Sequence, residues 1–206
     1  MVDMLSGNPN IDVIVRPGLQ IFGIALNQRK PILQDQRVRQ AMNYAINKEA
    51  LVKVLFRGKS TILDSPLAPN TTGYVHCGSY DFDAEKAKSL LVEAGWKQGA
   101  GGFFEKDGKR LSLVLRTPEG AYPNDVLVAE VIQDQLKAIG IDVSIEKVER
   151  ATFWDSLKVP AERATYDMVL WGYNPSHADG HIQLDALWAT NPSEDSNPPQ
   201  WNYIWY

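Results

Sequence analysis

Apolar residues recur along this chain with two different periods. Residues 11–16 (IDVIVR) and 19–26 (LQIFGIAL) are short runs of β-type composition separated by Pro17-Gly18, which predicts two strands. Asp35 suits a helix N-cap, and after it Val38, Ala41, Met42, Ala45 and Ile46 fall at i, i+3, i+4, i+7 and i+8. That spacing predicts a helix burying one face. Asn47-Lys48 interrupts it before Glu49 to Val52 resume the pattern. Residues 57–82 read as loop, with Gly58, Pro66, Pro69, Gly73 and Gly78 among them. Asp83 then caps a helix over 84–94 that closes at Gly95.

The second half is more regular. Residues 103–109 predict a hairpin turning at Asp107-Gly108 and leading into a strand at 110–116. A helix over 124–139 closes at Gly140, and a strand at 141–148 begins at once. A strand–helix–strand unit of this kind is right-handed and parallel. A shorter helix at about 151–158 and a strand at 166–171 extend it. The expectation is an α/β fold with a mixed sheet, in which 110–116, 141–148 and 166–171 run parallel.

Composition narrows the function more by exclusion. The 206 residues carry 21 Lys and Arg against 25 Asp and Glu, and the basic residues are dispersed. No basic stripe of the kind that meets nucleic acid is present. No run approaches 18 consecutive apolar residues, so no membrane-spanning helix is expected. The first residues, MVDMLSGNPN, lack the basic and apolar regions of a signal peptide. The single cysteine, Cys77, excludes an internal disulfide. Residues 200–206 (QWNYIWY) put the densest aromatic cluster at the last positions, where chains are ordinarily polar, and the expectation is a cut through a longer protein.

No catalytic or metal set emerges. His177, Asp179 and His181 lie close together, but their spacing matches no zinc signature and Gly180 implies a turn. His76-Cys77 are sequence neighbours without a third orienting group or an oxyanion loop. Gly99-Ala100-Gly101-Gly102 precedes a hairpin and opens no helix, so it fails the context of a phosphate loop. The chain reads as a binder, with no cofactor.

Ligands of open α/β sheets bind beyond the carboxyl ends of the strands. Two such ends carry recognition chemistry here: Arg116 to Tyr122, and Trp171-Gly172-Tyr173-Asn174. The candidate binding residues are therefore Arg116, Tyr122, Trp171, Gly172, Tyr173 and Asn174, with Asp179 just beyond. Gly172 is read as letting the backbone approach a ligand. Trp171 as an ordinary core residue is the competing reading.

Four stretches together resemble one family. They are Asn27-x-x-x-Pro31-x-x-x-Asp35-x-x-Val38-Arg39-x-Ala41-x-x-x-Ala45-Ile46; the helix from Tyr80-Asp81-Phe82-Asp83 to Glu93-Ala94-Gly95-Trp96; Tyr122-Pro123-Asn124-Asp125 with Gln135-Leu136-x-x-Ile139-Gly140-Ile141; and Tyr166-Asp167-Met168-Val169-Leu170-Trp171-Gly172. In this order they are similar to the extracellular solute-binding proteins of family 5, the dipeptide-, oligopeptide- and nickel-binding receptors of ABC importers. The resemblance implies that residues 1–206 are the C-terminal lobe of a two-lobed, periplasmic-binding-protein-type receptor, separated from its N-terminal lobe. It implies a small solute, a peptide or similar, captured between the lobes and passed to a membrane permease. It places the receptor in the periplasm, or outside the cell and tethered to the membrane. In peptide-binding members an aspartate three residues after the tryptophan pairs with the peptide's α-ammonium. The matching position here is Asn174, which lacks the charge-assisted strength of a carboxylate. Either Asp179 substitutes, or the solute is a sugar, a modified amino acid or a metal chelate. A hydrolase or an interaction module on the same fold is the remaining alternative.

Overall fold

The computed structural model describes residues 2–5, 7–159 and 163–188, so the aromatic stretch at 200–206 lies outside the described residues. A short helix α1 (Val2–Leu5) precedes an irregular segment, and β1 spans Ile21–Leu26. Helices α2 (Pro31–Gln34), α3 (Gln36–Ala45), α4 (Lys48–Leu55) and α5 (Ala84–Glu93) follow. A small sheet of β2 (Lys97–Gln98), β3 (Phe104–Lys106) and β4 (Lys109–Arg110) leads into β5 (Ser112–Glu119), α6 (Asp125–Ala138) and β6 (Asp142–Glu149). Then come α7 (Arg150–Ser156), β7 (Met168–Tyr173) and α8 (Gly180–Trp188).

The main sheet has the order β1-β7-β5-β6. β5 runs parallel to β6 from Ser112↔Asp142 to Glu119↔Glu149, and parallel to β7 at Leu115↔Met168 and Arg116↔Val169. β1 runs antiparallel to β7 and makes the sheet mixed. The three strands expected to be parallel are parallel. The carboxyl ends of β5 and β7 therefore share one edge of the sheet.

Alternation along the strands splits the core in two. Leu113 and Leu115 of β5, and Met168 and Leu170 of β7, pack against α3, α5 and α6 through Val38, Met42, Leu91, Val128 and Leu136. Val114 and Val169 face the other way, onto Phe153 and Leu157 of the α7 region and onto Tyr166.

Local chemistry sets the boundaries. Asp35 accepts from the Arg37 amide, Asn47 from that of Ala50 and Asp83 from that of Lys86, so each caps a helix. The break at 47–48 is thus the N-cap of a second helix. Asp107 and Gly108 both have positive φ, 52° and 73°, as a two-residue hairpin turn requires.

One expected element is absent. Residues 11–16 form no strand, and the strand expected at 19–26 begins at Ile21. Ile14 and Val15 are 73% and 60% exposed. Among the described residues no strand lies beside them, and β propensity without a partner does not make a strand.

Candidate functional site

The edge where β5 and β7 end is built by two loops, residues 120–124 and 174–179. The first is held from within. The Asp125 carboxylate, buried at the start of α6, accepts from the amides of Ala121 and Tyr122 through Oδ2, at 2.8 and 3.0 Å. This folds Tyr122 back over the sheet, where its hydroxyl donates to the Gly172 carbonyl at 2.9 Å. Its ring lies 5.3 Å from that of Phe22. Burial pushes the Tyr122 phenol above its ordinary pKa.

Gly172 is explained by that packing. A Cβ there would meet the Tyr122 ring at 2.9 Å and the Ile21 carbonyl at 3.2 Å. The close approach it permits is to the protein's own Tyr122 and β1.

Arg116 is also placed differently from the expectation. It is buried on the α7 face and gives Nε and Nη2 to the Glu146 carboxylate at 3.2 and 3.0 Å. Nη1 donates to the Ser156 carbonyl, Nη2 also to Thr165 Oγ1, and the guanidinium lies 4.5 Å from the Tyr166 ring centre. A guanidinium with all three nitrogens occupied is a tie between β5, β6 and α7. It sits three residues inside the strand end. Burial pushes the Tyr166 hydroxyl up to about 12, against the lowering effect of Arg116.

Trp171 and Tyr173 point to the face opposite Tyr122. Both are half-buried, with ring centres 6.4 Å apart, and they pack on Ile21, Leu63 and Ala68. These five residues form an apolar shelf at the carboxyl edge. Leu63 and Ala68 were not legible as site residues, because the loop at 57–82 has no periodicity. Ala68 has one signal, the apolar pair Leu67-Ala68 between two prolines, Pro66 and Pro69, and Leu63 has none.

Asn174 is exposed beside the shelf. Asp179 is exposed too, but it is tied down: Oδ1 accepts from the His181 amide at the start of α8. Thr72 brackets it, donating to the Ala178 carbonyl and accepting from the Gly180 amide at 2.8 and 2.9 Å. The expected set thus divides into Trp171, Tyr173 and Asn174 at the shelf, Tyr122 and Gly172 holding the edge from behind, Asp179 capping α8, and Arg116 inside. Among the described residues no group of three or more His, Cys, Asp or Glu side chains could hold a metal ion. His76 pairs with Asp64 through Nδ1, while the exposed Cys77 donates to the Val75 carbonyl. The bonds from Tyr74 and His76 hold the Asp64 carboxyl below its usual range.

The carboxyl edge of the parallel strands thus carries an aromatic shelf of Trp171 and Tyr173. The sequence pattern of the bacterial extracellular solute-binding proteins, family 5, matches residues 1–195. The chain belongs to this family. It is 29% identical over 201 residues to the oligopeptide-binding protein AppA of Bacillus subtilis, covering 96% of this chain and 35% of AppA. It is 30% identical over 201 residues to the dipeptide-binding protein of Escherichia coli, covering 97% and 35%. Among solved structures, NikZ from Campylobacter jejuni, in complex with Ni(L-His), superposes with a TM-score of 0.79 at 25% identity, over 99% of this chain and 39% of NikZ. The chain therefore spans about a third of the length of these relatives. Among the described residues no helix is long and apolar enough to cross a membrane.

Proposed function

We propose that residues 1–206 are the C-terminal lobe of a two-lobed receptor that captures a small solute for an ABC importer. The solute lies between this lobe and the N-terminal lobe, and hinge closure delivers it to the membrane permease. The receptor works in the periplasm, or outside the cell and tethered to the membrane. The observation that carries this is the shelf of Trp171, Tyr173, Ile21, Leu63 and Ala68 at the open carboxyl edge, with its two rings half-buried. A rigid indole beside an amide, Asn174, fits a small molecule with one apolar face and one polar group. The family of solute-binding proteins supports the role, and it calls for no reaction.

Peptide is the first solute class, in line with the peptide-binding relatives. A second class, a metal chelate, a sugar or a modified amino acid, is favoured by one feature: the nearest carboxylate to Asn174 in sequence, Asp179, is committed to the start of α8. Moving it to meet an ammonium would uncap that helix, at a cost of about 1 kcal/mol. A thermal-shift screen of the intact receptor separates the two. Peptides with a free amino end raise its melting temperature in the first case, and only non-peptide pools do so in the second. No shift with any solute pool, together with turnover of chromogenic esters or peptides, defeats the receptor reading.

A further inference from the structure

Helix α8 reverses the ordinary pattern of burial. It reads GHIQLDALW, and in it Ile182 and Leu184 are 46% and 39% exposed while Gln183 between them is fully buried. Burying an amide is unfavourable unless its hydrogen bonds are made. Gln183 makes them on one side: Nε2 donates to the Pro66 carbonyl at 3.2 Å, and among the described residues Oε1 has no partner. For packing alone, leucine or methionine would serve better here. What the glutamine adds is the bond to Pro66.

Pro66 opens the stretch Pro66-Leu67-Ala68-Pro69, in which Leu67 and Ala68 are buried and Ala68 is part of the shelf. Some bonds shape the loop itself. The Thr71 amide donates to the Ala68 carbonyl at 2.9 Å, and Asp64, next to Leu63, holds Tyr74 and His76. Other bonds join the loop to α8. Thr72 pairs with Ala178 and Gly180 at the start of the helix, and Gln183 takes Pro66 one turn further on. The contact is close, since a Cβ on Gly180 would meet the Thr72 carbonyl at 2.5 Å and Leu67 at 2.6 Å. The strand end with Trp171 and Tyr173 leads through residues 174–179 into the same helix. The two halves of the shelf are therefore joined at the first turns of α8.

We infer that Gln183 is a positioning residue of the receptor. Through Pro66 it holds the loop of Leu63 and Ala68 against the strand end of Trp171 and Tyr173, and so sets the surface on which a solute rests. Gln183 is itself buried away from that surface. The inference rests on the reading of the shelf as the solute surface. It parts from a role in packing alone at Gln183→Met, which keeps the length of the side chain and removes the unpaired oxygen. Packing alone predicts no loosening from that change.

Hydrogen exchange on the intact receptor, without solute, tests the hold. The amides of Thr72 and Gly180 are expected to exchange at least about tenfold faster in Gln183→Met than in the unaltered receptor, with those of the β5–β7 ladder unchanged. Gln183→Glu supplies a rescue that reads the bond itself. Its carboxyl, protonated at about pH 5 in a buried site, can donate to Pro66 as the amide does, and ionised at about pH 8 it cannot. Slow exchange at Thr72 and Gly180 is expected at the lower pH and fast exchange at the higher, once intrinsic rates are allowed for. A tryptic peptide mixture then reads function. The rise in melting temperature it gives the unaltered receptor is expected to vanish in Gln183→Met and to return in Gln183→Glu at the lower pH.

Unchanged exchange at Thr72 and Gly180 in Gln183→Met overturns the inference, and so does faster exchange throughout the β5–β7 ladder. A Gln183→Glu receptor that behaves alike at both pH values overturns it too, as does a full thermal shift in Gln183→Met. A mixture that shifts not even the unaltered receptor defeats the peptide reading, and exchange still decides the role of Gln183. If Gln183→Met does not fold, the comparison of Gln183→Glu at the two pH values decides.

Discussion

The Tyr122 hydroxyl reaches across the edge of the sheet and donates to the Gly172 carbonyl, 2.9 Å away, so the end of β7 is fixed by the loop that follows β5. Trp171 and Tyr173 flank that carbonyl and face the other way. The bond holds the strand that presents the shelf, and it does so from the face opposite Trp171 and Tyr173.

Tyr122→Phe is therefore expected to lower stability by about 1 kcal/mol, the usual net value of one hydrogen bond. Gly172→Ala is expected to cost more, about 1–3 kcal/mol, because its Cβ lands 2.9 Å from the Tyr122 ring. Combining Gly172→Ala with Tyr122→Ala should recover part of the loss. Denaturant unfolding of the four proteins in this cycle checks it, and strict additivity would mean that the two residues do not meet.

Arg116 is expected to matter for stability alone. Arg116→Met strands the Glu146 carboxylate and removes the bonds to Ser156 and Thr165, a loss of about 3–5 kcal/mol by the standard of broken buried pairs, at the low end because Glu146 is 42% exposed. Solute affinity of the folded variant should be unchanged. A variant that kept its stability and lost affinity would return Arg116 to the site.

That reversal shows what the sequence could carry. The strand–helix–strand unit, the caps at Asp35 and Asp83 and the turn at Asp107-Gly108 were legible because each rests on local spacing or on one residue's backbone chemistry. Arg116 and Tyr122 look alike in sequence, two polar groups at a strand end. Their roles part only because alternation points Arg116 at Glu146, 30 residues away, and because Asp125 folds Tyr122 back. Leu63 and Ala68 join the shelf through a long irregular loop, which no periodicity announces. Residues 11–16 have strand composition without a strand to pair with.

Asp167 gives a pH signature. Burial raises its carboxyl above the ordinary 3.8, although it accepts from the Val114 amide and lies 3.9 Å from Lys30. A raised carboxyl contributes stability while protonated and loses it as pH rises from 3.8 through the higher folded value. Asp35 and Asp64, held low by their partners, act in the opposite direction. The comparison with Asp167→Asn isolates the effect, since asparagine can still accept from Val114. The stability of the variant relative to the unaltered protein is expected to fall as pH is lowered toward 3.8. A difference that is flat from pH 4 to 7 would mean that Asp167 titrates normally.

The 206-residue chain by itself is expected to bind solute weakly. One face of a two-faced site supplies part of the contacts, and each 1.4 kcal/mol forgone costs about tenfold in affinity. Calorimetry on the isolated chain checks this, and submicromolar binding would show that the second lobe is dispensable.

The central claim is that solute rests on the shelf of Trp171 and Tyr173, and one pair of affinities tests it most directly. With the solute found by thermal shift, calorimetry compares the intact receptor with its Trp171→Ala variant, and the melting temperatures of both are taken without solute. The expected result is a loss of affinity of about 1–3 kcal/mol with a small change in melting temperature, as for a half-buried ring at a binding surface. Unchanged affinity with a large drop in melting temperature would make Trp171 a core residue and place the solute elsewhere.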